Sequence, residues 1–219
     1  SLEFMPTMTT YSNVPPGTAI AKGYWLYSAT GTSTGTDSFA WQVCDGADTS
    51  AVATMTIRLT NNTPLTARGS TNTLAAGCVG VSLALNYTDP DTYQPKSFQL
   101  LTPPARGILE SGVGTNYQPI ASNAWVAGSG SWFYTPSGSE AGADSFTWRG
   151  SDGVMTSGIA TVSLVITTNT PPTNQNALVT AAVGAVRYPV SLSWTDPNFD
   201  QPHTMQLVAP PARGEVEYN

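Results

Sequence analysis

The chain has 219 residues, a net charge of −6, charged side chains at only 10% of positions and hydrophobic ones at 40%. So sparse and acidic a charge pattern supplies no basic stripe to neutralise phosphates, which argues against a nucleic-acid partner. The apolar runs are strand-length, so membrane insertion is not expected, and the hydrophobic residues alternate as disordered chains do not.

In chain order, Ser1-Leu2-Glu3-Phe4 before Met5 reads as an expression scar. Phe39, Trp41 and Val43 then alternate with polar neighbours, Asp45-Gly46 makes a turn, and Ala53, Met55, Ile57 and Leu59 alternate again. A period of two with one apolar face predicts strands of stacked sheets, and an Asp-Gly between two such runs predicts a hairpin. Asn61-Asn62-Thr63-Pro64 reads as a linker. Val81, Leu83, Leu85 and Tyr87 predict one further strand. Phe146 and Trp148, the Asp152-Gly153 turn, and Ala160, Val162, Leu164 and Ile166 restate the first hairpin. A second linker runs from Thr168 to Pro172, and Tyr188, Val190, Leu192 and Trp194 repeat the parity of 81–87. No segment carries a helical stripe.

The restatement has a fixed offset. Asp144-Ser145-Phe146-Thr147-Trp148 follows Asp37-Ser38-Phe39-Ala40-Trp41 by 107 residues, and Pro210-Pro211-Ala212-Arg213-Gly214 follows Pro103-Pro104-Ala105-Arg106-Gly107 by the same 107. Residues so related are called counterparts below. One unit used again is an array, and arrays space, stack or stick. The expected fold is all-β: tandem immunoglobulin-like (cadherin-like) antiparallel β-sandwiches of about seven strands per unit. Residues 65–171 form a complete unit, 1–64 (with 1–5 the scar) the second half of one, and 172–219 the first half of another.

Gly-x-Asp-Ser-Phe-x-Trp, Asp-Gly, Ser-x-x-Ala-Thr-Val-x-Leu and Asn-x-x-Pro together resemble the tandem cadherin-like and immunoglobulin-like repeats of large bacterial surface proteins. Residues 134–153 and Pro103 to Leu109 are also similar to repeats of chondroitin-sulphate-proteoglycan type. The resemblance implies an extracellular, cell-surface spacer or adhesive segment, with calcium at module junctions.

Asp89 and Asp91, with Asp152 and Asn62, are expected to share the pole beside the incoming linker; Asp196 and Asp200 repeat the motif. Their oxygens suit calcium; equally, they suit turns capped by Asp side chains. Asp37 and Asp144, which open their strands, resemble the acid at the corresponding corner of immunoglobulin modules, which implies a structural role. Trp125, read as a loop residue without a counterpart, is the candidate for stacking on a glycan; the alternative function is a glycan- or surface-protein-binding module attached to a larger secreted enzyme or adhesin. Cys44 and Cys78 have no Cys counterparts, which excludes a disulfide repeated in each unit; an intermolecular Cys44–Cys78 bond is the open pairing. His203, whose counterpart is Lys96, reads as a solvent-facing strand residue. Gly31-Thr32-Ser33-Thr34-Gly35 lacks the strand-to-helix turn and partner histidine of a nucleophile elbow. No catalytic residue is expected.

The two partial units are complementary. The expectation is that 172–219 of one molecule completes 6–64 of the next, head to tail, because half a core and free sheet edges are costly to leave in water.

Overall fold

The computed structural model describes residues 13–20, 25–113, 116–198 and 200–218; residues 1–5, read above as a scar, lie outside them. The described regular elements are all strands. In the leading segment, β1 (Gly35–Trp41) and β2 (Ala53–Leu59) form an antiparallel hairpin with Phe39 opposite Met55.

The central unit follows. Its first half holds β3 (Thr66–Arg68), β4 (Ser70–Ala75), β5 (Val81–Ala84), β6 (Asn86–Thr88), β7 (Ser97–Thr102) and β8 (Gly107–Val113). Its second half holds β9 (Asn116–Pro119), β10 (Trp125–Ala127), β11 (Ser131–Pro136), β12 (Gly142–Ser151) and β13 (Ala160–Thr167). The trailing segment holds β14 (Thr173–Gln175) and β15 (Ser193–Thr195).

Two sheets make the central unit, a five-stranded one in the order β10-β7-β12-β13-β4 and a four-stranded one in the order β5-β11-β8-β9. Every second residue faces inward, as strand geometry requires. On β12 these are Asp144, Phe146 and Trp148; on β13 they are Ala160, Val162, Leu164 and Ile166. Leu83, Leu100, Leu109, Trp132 and Tyr134 meet them in one core. Every buried hydrophobic residue among the described ones lies between Leu65 and Ile166.

Three details differ from expectation. The central unit holds eleven short strands among the described residues, not about seven, because several of the expected runs are broken. The run Val81–Tyr87 is not one strand: Leu85 donates its N–H to the Gly130 carbonyl at 2.7 Å, so β5 joins β11 while β6 pairs with β3. One pair is also parallel, β13 with β4, Val162 opposite Ser70. The reason is directional. The chain enters the unit at one pole and leaves at the other, so its entry and exit strands run the same way and can share an edge only in parallel.

The repeat is visible in register. Phe146 faces Val162 as Phe39 faces Met55, the Ser151–Thr156 bridge matches Cys44–Thr49, and β14–β15 pair as β3–β6 do. Gly153 and Gly46 close the two hairpin turns with φ of 88° and 101°, a region a side chain disfavours.

Candidate functional site

The polar residues singled out in the sequence gather at three places: the entry pole, the exit pole and a buried corner. At the entry pole the linker is pinned to the unit it enters. Thr63 N donates to Asp91 Oδ2 at 2.6 Å, and Asn62 Nδ2 donates to Asp152 Oδ2 at 3.0 Å while its own oxygen accepts Gln94 Nε2 at 2.6 Å. Asp91 N in turn donates to Asp89 Oδ1 at 2.9 Å, and Asp89 pairs with Lys96 Nζ at 2.9 Å.

The same circuit returns one unit later. Thr170 N donates to Asn198 Oδ1 at 2.8 Å, Asn198 N to Asp196 Oδ1 at 2.8 Å, and His203 Nε2 lies 2.8 Å from Asp196 Oδ2. His203 is therefore not the bare strand residue expected from its sequence. It lies outside the strands, its ring packs tilted against Trp194 with centroids 4.5 Å apart, and it does for Asp196 what Lys96 does for Asp89. The backbone N–H of Asn198, then His203, hold the Asp196 carboxyl below the ordinary range.

Asp89, Asp91, Asp152 and Asn62 thus share the pole the spacing implied. Their oxygens accept backbone N–H groups and the Asn62 amide, and Asp89 pairs with Lys96. Burial works against ionisation of Asp152, but Met155 N, Asn62 and Val154 N outweigh it and its carboxyl sits below the usual range. Among the described residues, no three His, Cys, Asp or Glu side chains converge as a metal-binding group. Asp200 contributes its backbone instead, accepting Val79 N at 3.0 Å across the exit pole, where Gln201 Nε2 also donates to the Ala76 carbonyl.

The buried corner centres on Asp144. Its carboxylate accepts Ala105 N at 2.8 Å, Arg106 N at 3.0 Å, Ser145 N at 2.8 Å and the Tyr134 hydroxyl at 2.8 Å. The Arg106 guanidinium donates to the carbonyls of Glu140 (3.0 Å) and Ala141 (3.3 Å). Asp144 thus ties a loop and a tyrosine to the start of β12, the structural role that the resemblance to immunoglobulin modules implied. The Tyr134 hydroxyl and the Gln94 amide were missed from the sequence, although both recur, as Tyr27 and Gln201.

Three further residues have defined surroundings. Cys78 is buried in the core and Cys44 is exposed, so a bond between them would require opening the central unit. Burial, and then the charge of Asp200, push the Cys78 thiol up to about 11. Trp125 is not in a loop: it lies on β10 opposite Gln99, half-exposed, with the Arg149 guanidinium 5.6 Å over its ring. A glycan would have to stack on the other face.

Outside the central unit, core-type residues are uncovered. Phe146 is 1% exposed and its counterpart Phe39 is 37%; Trp148 is 0% and Trp41 is 46%; Leu100 is 1% and Leu207 is 59%. The residue types and, in the leading segment, the strand register are the same. What differs is the opposing half.

Two layers with a parallel entry–exit edge and a buried Asp–Tyr corner define the class: an immunoglobulin-like β-sandwich used as a repeat. Residues 5–58 match the family model described as bacterial Ig domain, so the likeness drawn from the motifs is borne out. No curated protein matches the chain. The match covers the leading segment, and the 107-residue offset carries the same pattern into the central unit.

Proposed function

We propose that the chain is a non-catalytic structural segment of an extracellular bacterial surface protein, a spacer that also associates with itself head to tail. The likeness to bacterial Ig domains supports a structural or adhesive repeat module. The pinned junctions support the spacer role. Thr63 and Thr170 each donate to the loop of the unit they enter, at counterpart atoms, so successive units are held at both poles rather than strung on free linkers. The sole histidine is engaged with Asp196.

One observation carries the self-association: the contrast between buried core residues of the central unit and their exposed counterparts on either side. Fully burying each such side chain is worth about 1.5–3 kcal/mol. Residues 172–218 of one molecule match the half (65–111) that covers residues 120–171 in the central unit, and so would cover 13–64 of another. Sedimentation velocity over a range of concentrations tests this. Assembly that grows with concentration is the expected result; a monomer throughout refutes the self-association and leaves only the spacer.

A further inference from the structure

We propose that Asp37 is a docking site for the Pro210-Pro211-Ala212-Arg213-Gly214 segment of a second molecule. The proposal rests on head-to-tail association and specifies the contact that orients it.

The leading segment carries half of the corner seen around Asp144. Tyr27 donates its hydroxyl to Asp37 Oδ2 at 2.9 Å, and Ser38 N donates to Oδ1 at 2.8 Å. These match Tyr134 and Ser145 on Asp144 atom for atom. In the central unit two more donors complete the corner, the backbone N–H groups of Ala105 and Arg106. Their counterparts are Ala212 and Arg213. Among the described residues Asp37 accepts nothing from them, and Arg213 is exposed.

The site is also open where the guanidinium would go. A side-chain carbon placed on Gly142 would collide with the Arg106 guanidinium, whereas one on Gly35 would meet nothing within 4 Å. Both glycines hold the same φ of 153°. A cleft of about 410 Å³ opens there, lined by Thr34, Gly35 and the β2 residues Arg58 and Leu59. Arg213 entering it would donate to the carbonyls of Ser33 and Thr34, the counterparts of Glu140 and Ala141.

The edges agree. β12 pairs with β13 on one side and β7 on the other, and β13 pairs onward with β4. β1 and β2 pair only with each other. The registers of the central unit place Leu207 opposite Trp41 and Gln206 opposite Gln42, and run 177–182 parallel to β2 from Met55. The occupant is thus defined by the chain's own repeat: a Pro-Pro-Ala-Arg-Gly segment whose flanks are the counterparts of β7 and β8. Two backbone N–H groups meet the carboxylate and an arginine fork meets two carbonyls.

The test uses the 219-residue chain in three forms: unaltered, Asp37→Asn and Arg213→Ala. Sedimentation gives the association constant, and thermal melting of the central unit gives a control for folding. Loss of charge-assisted hydrogen bonds weakens association about tenfold or more, so each variant is expected to do so without moving the central melting transition. Arg213 is exposed, so its variant is independent of any effect of Asp37→Asn on the leading hairpin. If the unaltered chain assembles and both variants assemble equally well, the docking site is wrong and head-to-tail association stands. If the unaltered chain is a monomer at every concentration, whether its halves stay open or close on each other, both ideas fall.

Discussion

The Tyr134 hydroxyl donates to the Asp144 carboxylate at 2.8 Å in the interior of the central sandwich, linking β11 of one sheet to β12 of the other. Burial, then the bond to Asp144, raise the Tyr134 phenol above its ordinary value. The folded state therefore favours the protonated phenol. That contribution is complete below the ordinary tyrosine value of about 10 and is lost as pH rises through the higher folded value. Tyr134→Phe is expected to destabilise the central unit by about 1.5–3 kcal/mol, the worth of a hydrogen bond to a charged group. It should also flatten the alkaline limb of the stability profile; chemical denaturation at neutral and high pH checks both.

The buried and exposed members of a counterpart pair should respond differently to the same truncation. Phe146→Ala removes a ring from a closed core and is expected to cost about 3–5 kcal/mol. Phe39→Ala, on the uncovered hairpin, is expected to change the melting of the central unit by less than about 0.5 kcal/mol while reducing association. Equal losses in melting would mean that the leading hairpin is covered within the monomer.

The entry pole predicts an acid limb. Asp152 has a folded value below that of the free side chain, so its contribution is present above the ordinary carboxylate value of about 3.9 and is lost as pH falls through the lower folded one. Asn62→Ala removes one donor and should move the acid unfolding midpoint upward. Unfolding followed by tryptophan fluorescence between neutral and strongly acidic pH measures it.

The two thiols should behave as different groups. Gly46 N donates to Cys44 Sγ at 3.4 Å, and that bond lowers the pKa of this exposed thiol, whereas Cys78 is buried and raised. A thiol-reactive chromophore at neutral pH is expected to label Cys44 in the folded chain and Cys78 only after denaturation. Rapid labelling of both in native buffer would place Cys78 at the surface.

Much of this was legible in the text because it is local or periodic. Phe146 and Trp148 alternate, Asp152-Gly153 turns, and a constant offset repeats both; alternation settles which face a strand buries, and Asp-Gly settles where a hairpin closes. Gathering Asp89, Asp91, Asp152 and Asn62 at one pole followed from the same frame. What those oxygens hold did not follow, because whether a carboxylate meets a metal, a lysine or an amide depends on approaches between residues up to ninety apart, as with Asn62 and Asp152.

The amino-acid order by itself therefore determined the repeat, its length, its strand faces and the kinship of the central unit with the segments on either side, since each depends on spacing along one chain. Only the tertiary structure decided that Cys78 lies in the core, that His203 serves Asp196, that Trp125 sits in a strand under Arg149, and that the entry and exit strands run parallel. Those depend on which surfaces meet in space. The same cause separates Phe146 from Phe39: identical side chains in identical registers, one roofed by a second sheet and the other open to water.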